Sequence, residues 1–136
     1  MNYSEISKET ISLLHQSYAS LSQSPLKQTL RLLVELRVSQ INGCKYCIGV
    51  HTQEAKKLNI PIEKINTLHA WFVNETFSQE ERAALHWAER LTHLDKDLNQ
   101  AKDLLSPYFN DREIVDLTTC IAIMNTLNRL AISLNA

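Results

Sequence analysis

The chain has 136 residues and a formal charge of −1, with 44% apolar and 21% charged residues, the proportions of one globular domain spanning residues 1–136. Its 14 basic and 15 acidic residues are scattered, and no basic block is present to neutralise a phosphate backbone, which argues against a nucleic-acid partner. Met1 to Glu9 lack the apolar core of a signal peptide, and no uninterrupted apolar run reaches the ~18 residues of a membrane span, so a cytoplasmic protein without membrane attachment is expected.

Two glycines and three prolines are too few for the turns of an all-β fold. Apolar residues recur instead at helical spacing. The expected fold is all-α, a compact bundle of about six to seven helices. Ile11, Leu14, Tyr18 and Leu21 form the first stripe. Ser24 and Pro25 have the form of an N-cap and first helical residue, and the stripe behind them runs from Leu26 through Leu30, Leu33, Val34 and Val38 to Ile41. Asn42 and Gly43 tolerate the left-handed conformation that ends a helix. A third helix is expected from near Cys44 to about Leu58, and Pro61 opens a fourth segment to about Trp71. Ser78 and Glu81 fit a capping box before a helix carrying Ala84, Trp87, Ala88, Leu91 and Leu94. A short segment spans Leu98 to Leu105. Asn110 and Glu113 form a second capping pair ahead of a long helix from Ile114 to about Leu134. That helix is apolar on several faces, with Ile114, Leu117, Ile121, Met124 and Leu130 on one side and Val115, Ala122 and Ile132 elsewhere. Such a helix is either central to a bundle or buried against a second subunit.

The chemistry concentrates at Cys44, Cys47 and His51. Residues three and four apart on a helix share a face, with Cβ atoms ~5–6 Å apart, so Cys44, Cys47, Ile48, His51, Ala55 and Leu58 form one stripe. The two sulfurs are close enough to bridge. Free N–H groups at a helix start stabilise an anion and lower a Cys-X-X-Cys thiol from ~8.5 towards ~3.5–7.5. His51, one turn on, can take or pass a proton. A peroxide requires this set: a thiolate to attack the O–O bond, a proton for the departing alkoxide, and a second thiol to resolve the sulfenic acid. Tyr46, between the cysteines, can offer a phenol to the site.

Other readings compete. Cys44, Cys47 and His51 could hold zinc if His69, His86 or Cys120 completed the set, but three ligands on one helix strain a tetrahedral site, so no metal and no cofactor is expected. The pair could be two structural core cysteines. A thioredoxin domain would need a βαβ context that the pattern lacks. Cys120 reads as core packing, and Trp71 and Trp87 as core or interface anchors. His15, His86 and His93 have no evident partner. Arg37 could hold an anionic substrate, with a salt bridge the preferred role. Asn125, Asn128 and Arg129 could line a pocket or bond backbone.

The run Leu36-Arg37-Val38-Ser39-Gln40-Ile41-Asn42-Gly43-Cys44-Lys45-Tyr46-Cys47, followed by His51-Thr52 and Glu54-Ala55-Lys56-Lys57, resembles the AhpD-like branch of the carboxymuconolactone decarboxylase superfamily. The resemblance continues through Phe77-Ser78, Glu81-Arg82-Ala83-Ala84-Leu85 and Trp87-Ala88-Glu89. It closes on Phe109, Glu113 to Leu117, Asn125 and Asn128-Arg129-Leu130. It implies an all-helical fold that assembles into homo-oligomers, trimers or hexamers. It also implies hydroperoxide reduction, with the dithiol recycled by a protein or small-thiol reductant. By position Cys47 is the peroxide-attacking cysteine, Cys44 the resolving cysteine and His51 the relay histidine. Decarboxylases proper lack the cysteine pair. One departure stands out: the glutamate that peroxidase-type members carry twelve positions before the first cysteine is Leu32 here. The nearest carboxylate, Glu35, lies about 60° round the helix. It can stand in as the proton relay, but a surface pair with Arg31 is the preferred expectation. Without that relay, a redox-sensing or structural helical oligomer and a decarboxylase-like enzyme are the alternatives.

Overall fold

The computed structural model describes residues 1–134. Among them are eight α-helices and no strand: α1 (Tyr3–Ile6), α2 (Lys8–Ser20), α3 (Gln28–Asn42), α4 (Lys45–Lys57), α5 (Ile62–Thr67), α6 (Gln79–His93), α7 (Leu98–Asp103) and α8 (Asp111–Leu134). The count exceeds the expected six to seven because α1 is a single turn, too short to show a periodicity of its own. Short 3₁₀ turns, Leu21–Gln23 and Leu68–Val73, follow α2 and α5.

The bundle is built around α3, which packs on α4, α6 and α8. From Leu30 to Ser39 only Arg31 and Arg37 escape full burial. A central place in the bundle was one of the two expectations for α8, but within this chain α8 leaves Val115 and Ile132 exposed. The sequence hides the position of α3 because Arg31, Glu35 and Arg37 interrupt its apolar pattern. α8 reaches the length and mean hydropathy of a membrane span, although Asp116, Thr118, Thr119 and Asn125 interrupt its apolar run. Its apolar face, Leu117, Cys120, Ile121 and Met124, packs into the protein core.

Both capping pairs form. Ser78 Oγ accepts from Glu81 N–H at 3.1 Å and Glu81 accepts from Ser78 N–H at 2.8 Å. Asn110 and Glu113 exchange the same bonds at 2.9 and 3.1 Å. Ser24 does not cap α3 as expected. Its hydroxyl accepts from Leu26 N–H at 3.2 Å and donates to Asp116 at 2.6 Å. This turn ties the chain to α8 and delays the helix to Gln28.

Gly43 ends α3 with φ +68, a left-handed conformation that costs any residue bearing a Cβ. Cys44 N–H then reaches back to Ser39 C=O at 3.1 Å, closing a Schellman-type cap. The same end of α3 is clamped to α8. Asn42 donates to Asn125 and Asn128, both at 3.0 Å, and Asn128 donates to Ser39 at 3.1 Å. Asn128 is fully buried and needs these partners. The asparagines of α8 therefore fix the turn that delivers the first cysteine.

Candidate redox site

Cys44 is the N-cap of α4, in extended conformation, and its Sγ accepts from Cys47 N–H at 3.3 Å. The free N–H of the first turn thus falls on Cys44 rather than on Cys47. The two cysteines form a disulfide with Cα atoms 5.3 Å apart. Both are buried, but only Cys47 borders a cleft of about 190 Å³ shared with Tyr46, His51 and Glu54. Tyr3, His15 and Tyr18 form the wall contributed by α1 and α2, and Met124, Leu127 and Ala131 the wall from α8. Tyr46 is largely exposed at the mouth.

His51 is buried on the face of α4 that meets α8. Its Nε2 lies 3.3 Å from Met124 Sδ, and its Nδ1 lies 3.7 Å from Glu35 Oε2 and 3.7 Å from Glu54 Oε2. Burial holds the imidazole below its ordinary range, against the opposing pull of Glu54.

Glu35 corrects the preferred expectation of a surface pair. It does sit 3.7 Å from Arg31, but it is 2% exposed and points inward. Tyr18 Oη donates to its Oε2 at 2.8 Å, and Cys120 Sγ lies 3.4 Å from its Oε1. Burial raises its pKa to about 7, against the opposing effects of the Tyr18 hydrogen bond, Arg31 and Cys120. Tyr18 and Cys120 are pushed upward in turn, by burial first and then by Glu35. Leu32, at the position of the family glutamate, is buried at 3% exposure. The chain thus has a carboxylate beside His51, supplied one turn later than the family spacing indicates.

This carboxylate has a measurable signature. Between its ordinary value of 4.5 and about 7 the folded chain keeps a proton that the unfolded chain releases. Stability therefore falls as pH rises through that window, by about 3 kcal/mol in total. Glu35→Gln carries no such proton, so chemical unfolding from pH 4 to 8 is expected to show a flatter profile for the variant. Parallel profiles would contradict the burial of an ionisable group there.

The remaining residues sort clearly. Cys120 is fully buried core, as expected, and its thiol meets Glu35 as well. Arg37 is held by Glu89 at 2.9 Å, the expected salt bridge. Trp71 and Trp87 are buried with their indole N–H groups on Glu89 and Thr118. Asn125, Asn128 and Arg129 lie outside the redox cleft. His69 is exposed on the turn after α5 and is not among the residues that line the cleft of Cys47 within this chain, and His86 borders a different hollow with Arg90 and Asp95. His15, which lacked a partner in sequence, lines the cleft. Tyr18, Glu54 and Met124 were missed. Tyr18 and Met124 belong to apolar stripes, where a phenol and a thioether look like packing.

An all-helical bundle with a Cys-X-X-Cys pair opening one helix and a histidine one turn on defines the AhpD-like class of proteins. A model of the carboxymuconolactone decarboxylase family matches residues 10–90. The uncharacterized protein YdfG of Bacillus subtilis is 32% identical over 136 residues, covering 98% of this chain and 92% of that one. A crystal structure from Agrobacterium tumefaciens, of a protein of unknown function named as a candidate antioxidant defence protein AhpD, superposes with a TM-score of 0.93 at 29% identity. It covers 100% of this chain and 94% of its own. An uncharacterized peroxidase-related protein from a Silicibacter species gives a TM-score of 0.83 at 25% identity, over 92% of this chain and 68% of that one. The chain belongs to the carboxymuconolactone decarboxylase family, in its AhpD-like branch.

Proposed function

We propose that this protein is a thiol-dependent peroxidase that reduces alkyl hydroperoxides through Cys47 and Cys44. The observation that carries the reading is the cleft in which Cys47 and His51 meet, with a buried carboxylate at about 7 behind the imidazole. In the reduced protein the Cys47 thiolate attacks the terminal oxygen of the hydroperoxide. The O–O bond breaks, and the departing alkoxide takes a proton from His51 to leave as an alcohol. Cys47 is now a sulfenic acid. The Cys44 thiol displaces its hydroxyl as water and closes the disulfide, the form present here. A protein or small-thiol reductant returns two electrons and two protons. Glu35 reloads His51, and its pKa near neutrality suits the task. Val50, Met124, Leu127 and Ala131 give the cleft an apolar wall, which fits an organic hydroperoxide with a hydrocarbon tail. In this reading the protein works in the cytoplasm as a homo-oligomer, a trimer or hexamer, consistent with the apolar Val115 and Ile132 left exposed on α8.

The test is stoichiometric and needs no knowledge of the reductant. Reduced protein is mixed with cumene hydroperoxide, quenched by alkylation and weighed. Cys44 and Cys47 should disappear together as a disulfide, with one alcohol formed per chain, far faster than glutathione reacts under the same conditions. Consumption no faster than that of a free thiol would refute the proposal.

A further inference from the structure

Behind the cleft, one imidazole and two carboxyl groups face one another. His51 Nε2 lies 3.3 Å from Met124 Sδ. A thioether sulfur can only accept, so in the tautomer with the ring proton on Nε2 this contact is a hydrogen bond and Nδ1 carries a lone pair. That Nδ1 has no hydrogen-bond partner among the described residues, although His51 is only 6% exposed. It faces Glu35 Oε2 and Glu54 Oε2, each at 3.7 Å, beyond hydrogen-bond reach. One ligand atom from each of the three residues falls within 4.8 Å of the others.

We propose that Glu35, His51 and Glu54 form a binding site for one divalent metal ion of the borderline class, with zinc the best chemical fit. Zinc bonds to nitrogen and oxygen are ~2.0–2.2 Å long and meet at a tetrahedral angle, which sets the donor atoms about 3.4 Å apart. The two His51 contacts of 3.7 Å need only a small closure, and the three ligand atoms together, within 4.8 Å of one another, need the carboxylates drawn in as well. Glu54 can supply it, because its side chain is 47% exposed at the rim. Glu35 is the fixed ligand. Tyr18 donates to its Oε2, while Arg31 and Cys120 lie against Oε1, leaving the second lone pair of Oε2 for the ion. Such outer partners are what orient ligating carboxylates. One imidazole and two carboxylates suit zinc better than a soft or a purely oxygen-seeking ion. The fourth position opens towards the cleft that His51 and Glu54 line. This site shares no ligand with the zinc arrangement considered for the cysteines except His51.

The experiment uses the oxidised protein, whose disulfide removes Cys44 and Cys47 as ligands. Isothermal titration with zinc chloride should show one ion bound per chain with micromolar or tighter affinity. Cobalt chloride should give visible d–d absorption without a sulfur-to-metal charge-transfer band. Glu54→Gln, a change at the half-exposed rim that spares the core, should weaken binding at least about tenfold. His15→Gln, which removes the other cleft imidazole, should leave affinity unchanged. Absence of binding at millimolar zinc, full affinity in Glu54→Gln, or loss of binding in His15→Gln would each overturn the proposal. A bound ion would take the Glu35 and His51 lone pairs that the proposed proton relay uses, so zinc is expected to inhibit peroxide reduction rather than assist it. The binding readouts themselves do not depend on turnover, so they separate the metal site from the peroxidase reading.

Discussion

Cys47→Ser is expected to lose hydroperoxide reduction by at least ~1,000-fold, about 4 kcal/mol of transition-state stabilisation, whereas Cys44→Ser should complete one reduction and stop. The asymmetry follows from the cap of α4. Cys47 borders the cleft and Cys44 does not, so in the proposed reaction only Cys47 would meet the hydroperoxide. A serine there has no thiolate to offer. With serine at Cys44, the sulfenic acid on Cys47 forms but has no thiol to condense with. Trapping with dimedone should therefore label Cys47 in Cys44→Ser and nothing in Cys47→Ser. Equal turnover in both variants and wild type would exclude these roles.

Glu35→Gln is expected to lower kcat/KM by about 10²–10⁴, the usual worth of a positioned proton-transfer group, with KM little changed. The amide keeps the volume and can still accept from Tyr18, so the loss would report the proton rather than the packing. The limb of the pH–rate profile near 7 should disappear with it, since that is where the Glu35 carboxyl titrates. A variant with the wild-type pH profile would remove Glu35 from the relay. Leu32→Glu, which would restore the family spacing, is expected to gain no activity. Leu32 is 3% exposed, so a second carboxylate there would be costly to ionise, and the place beside His51 is already filled.

Much of this arrangement was legible in the chain. The helical periods, both capping pairs, the break at Asn42-Gly43 and the common face of Cys44, Cys47 and His51 are local features, and local features are what spacing encodes. The failures concern which elements pack together. Arg31 four residues before Glu35 looks like a surface pair, because sequence cannot show α2 laying Tyr18 over that carboxylate. Glu54 was only part of a motif until α4 was placed against α3. Asn125 and Asn128 were polar groups in search of partners, and the partner was the end of α3. Ser24 shows the local limit: its hydroxyl bonded the backbone as a cap would, but Asp116, 92 residues away, drew it into a different turn.

In the proposed cycle, the N-cap role of Cys44 also sets the direction of recycling. A thiol–disulfide exchange has an attacked sulfur and a leaving sulfur, and it runs fastest when the leaving thiolate is the more stable one. Cys44 Sγ already receives the Cys47 N–H at the start of α4, so the helix holds it as the better leaving group. Cys47 is the sulfur an incoming thiol can reach. On the proposed peroxidase reading, the reductant's first bond is to Cys47, and the same buried end of the disulfide that would resolve the sulfenic acid is the end that would depart when the protein is reset.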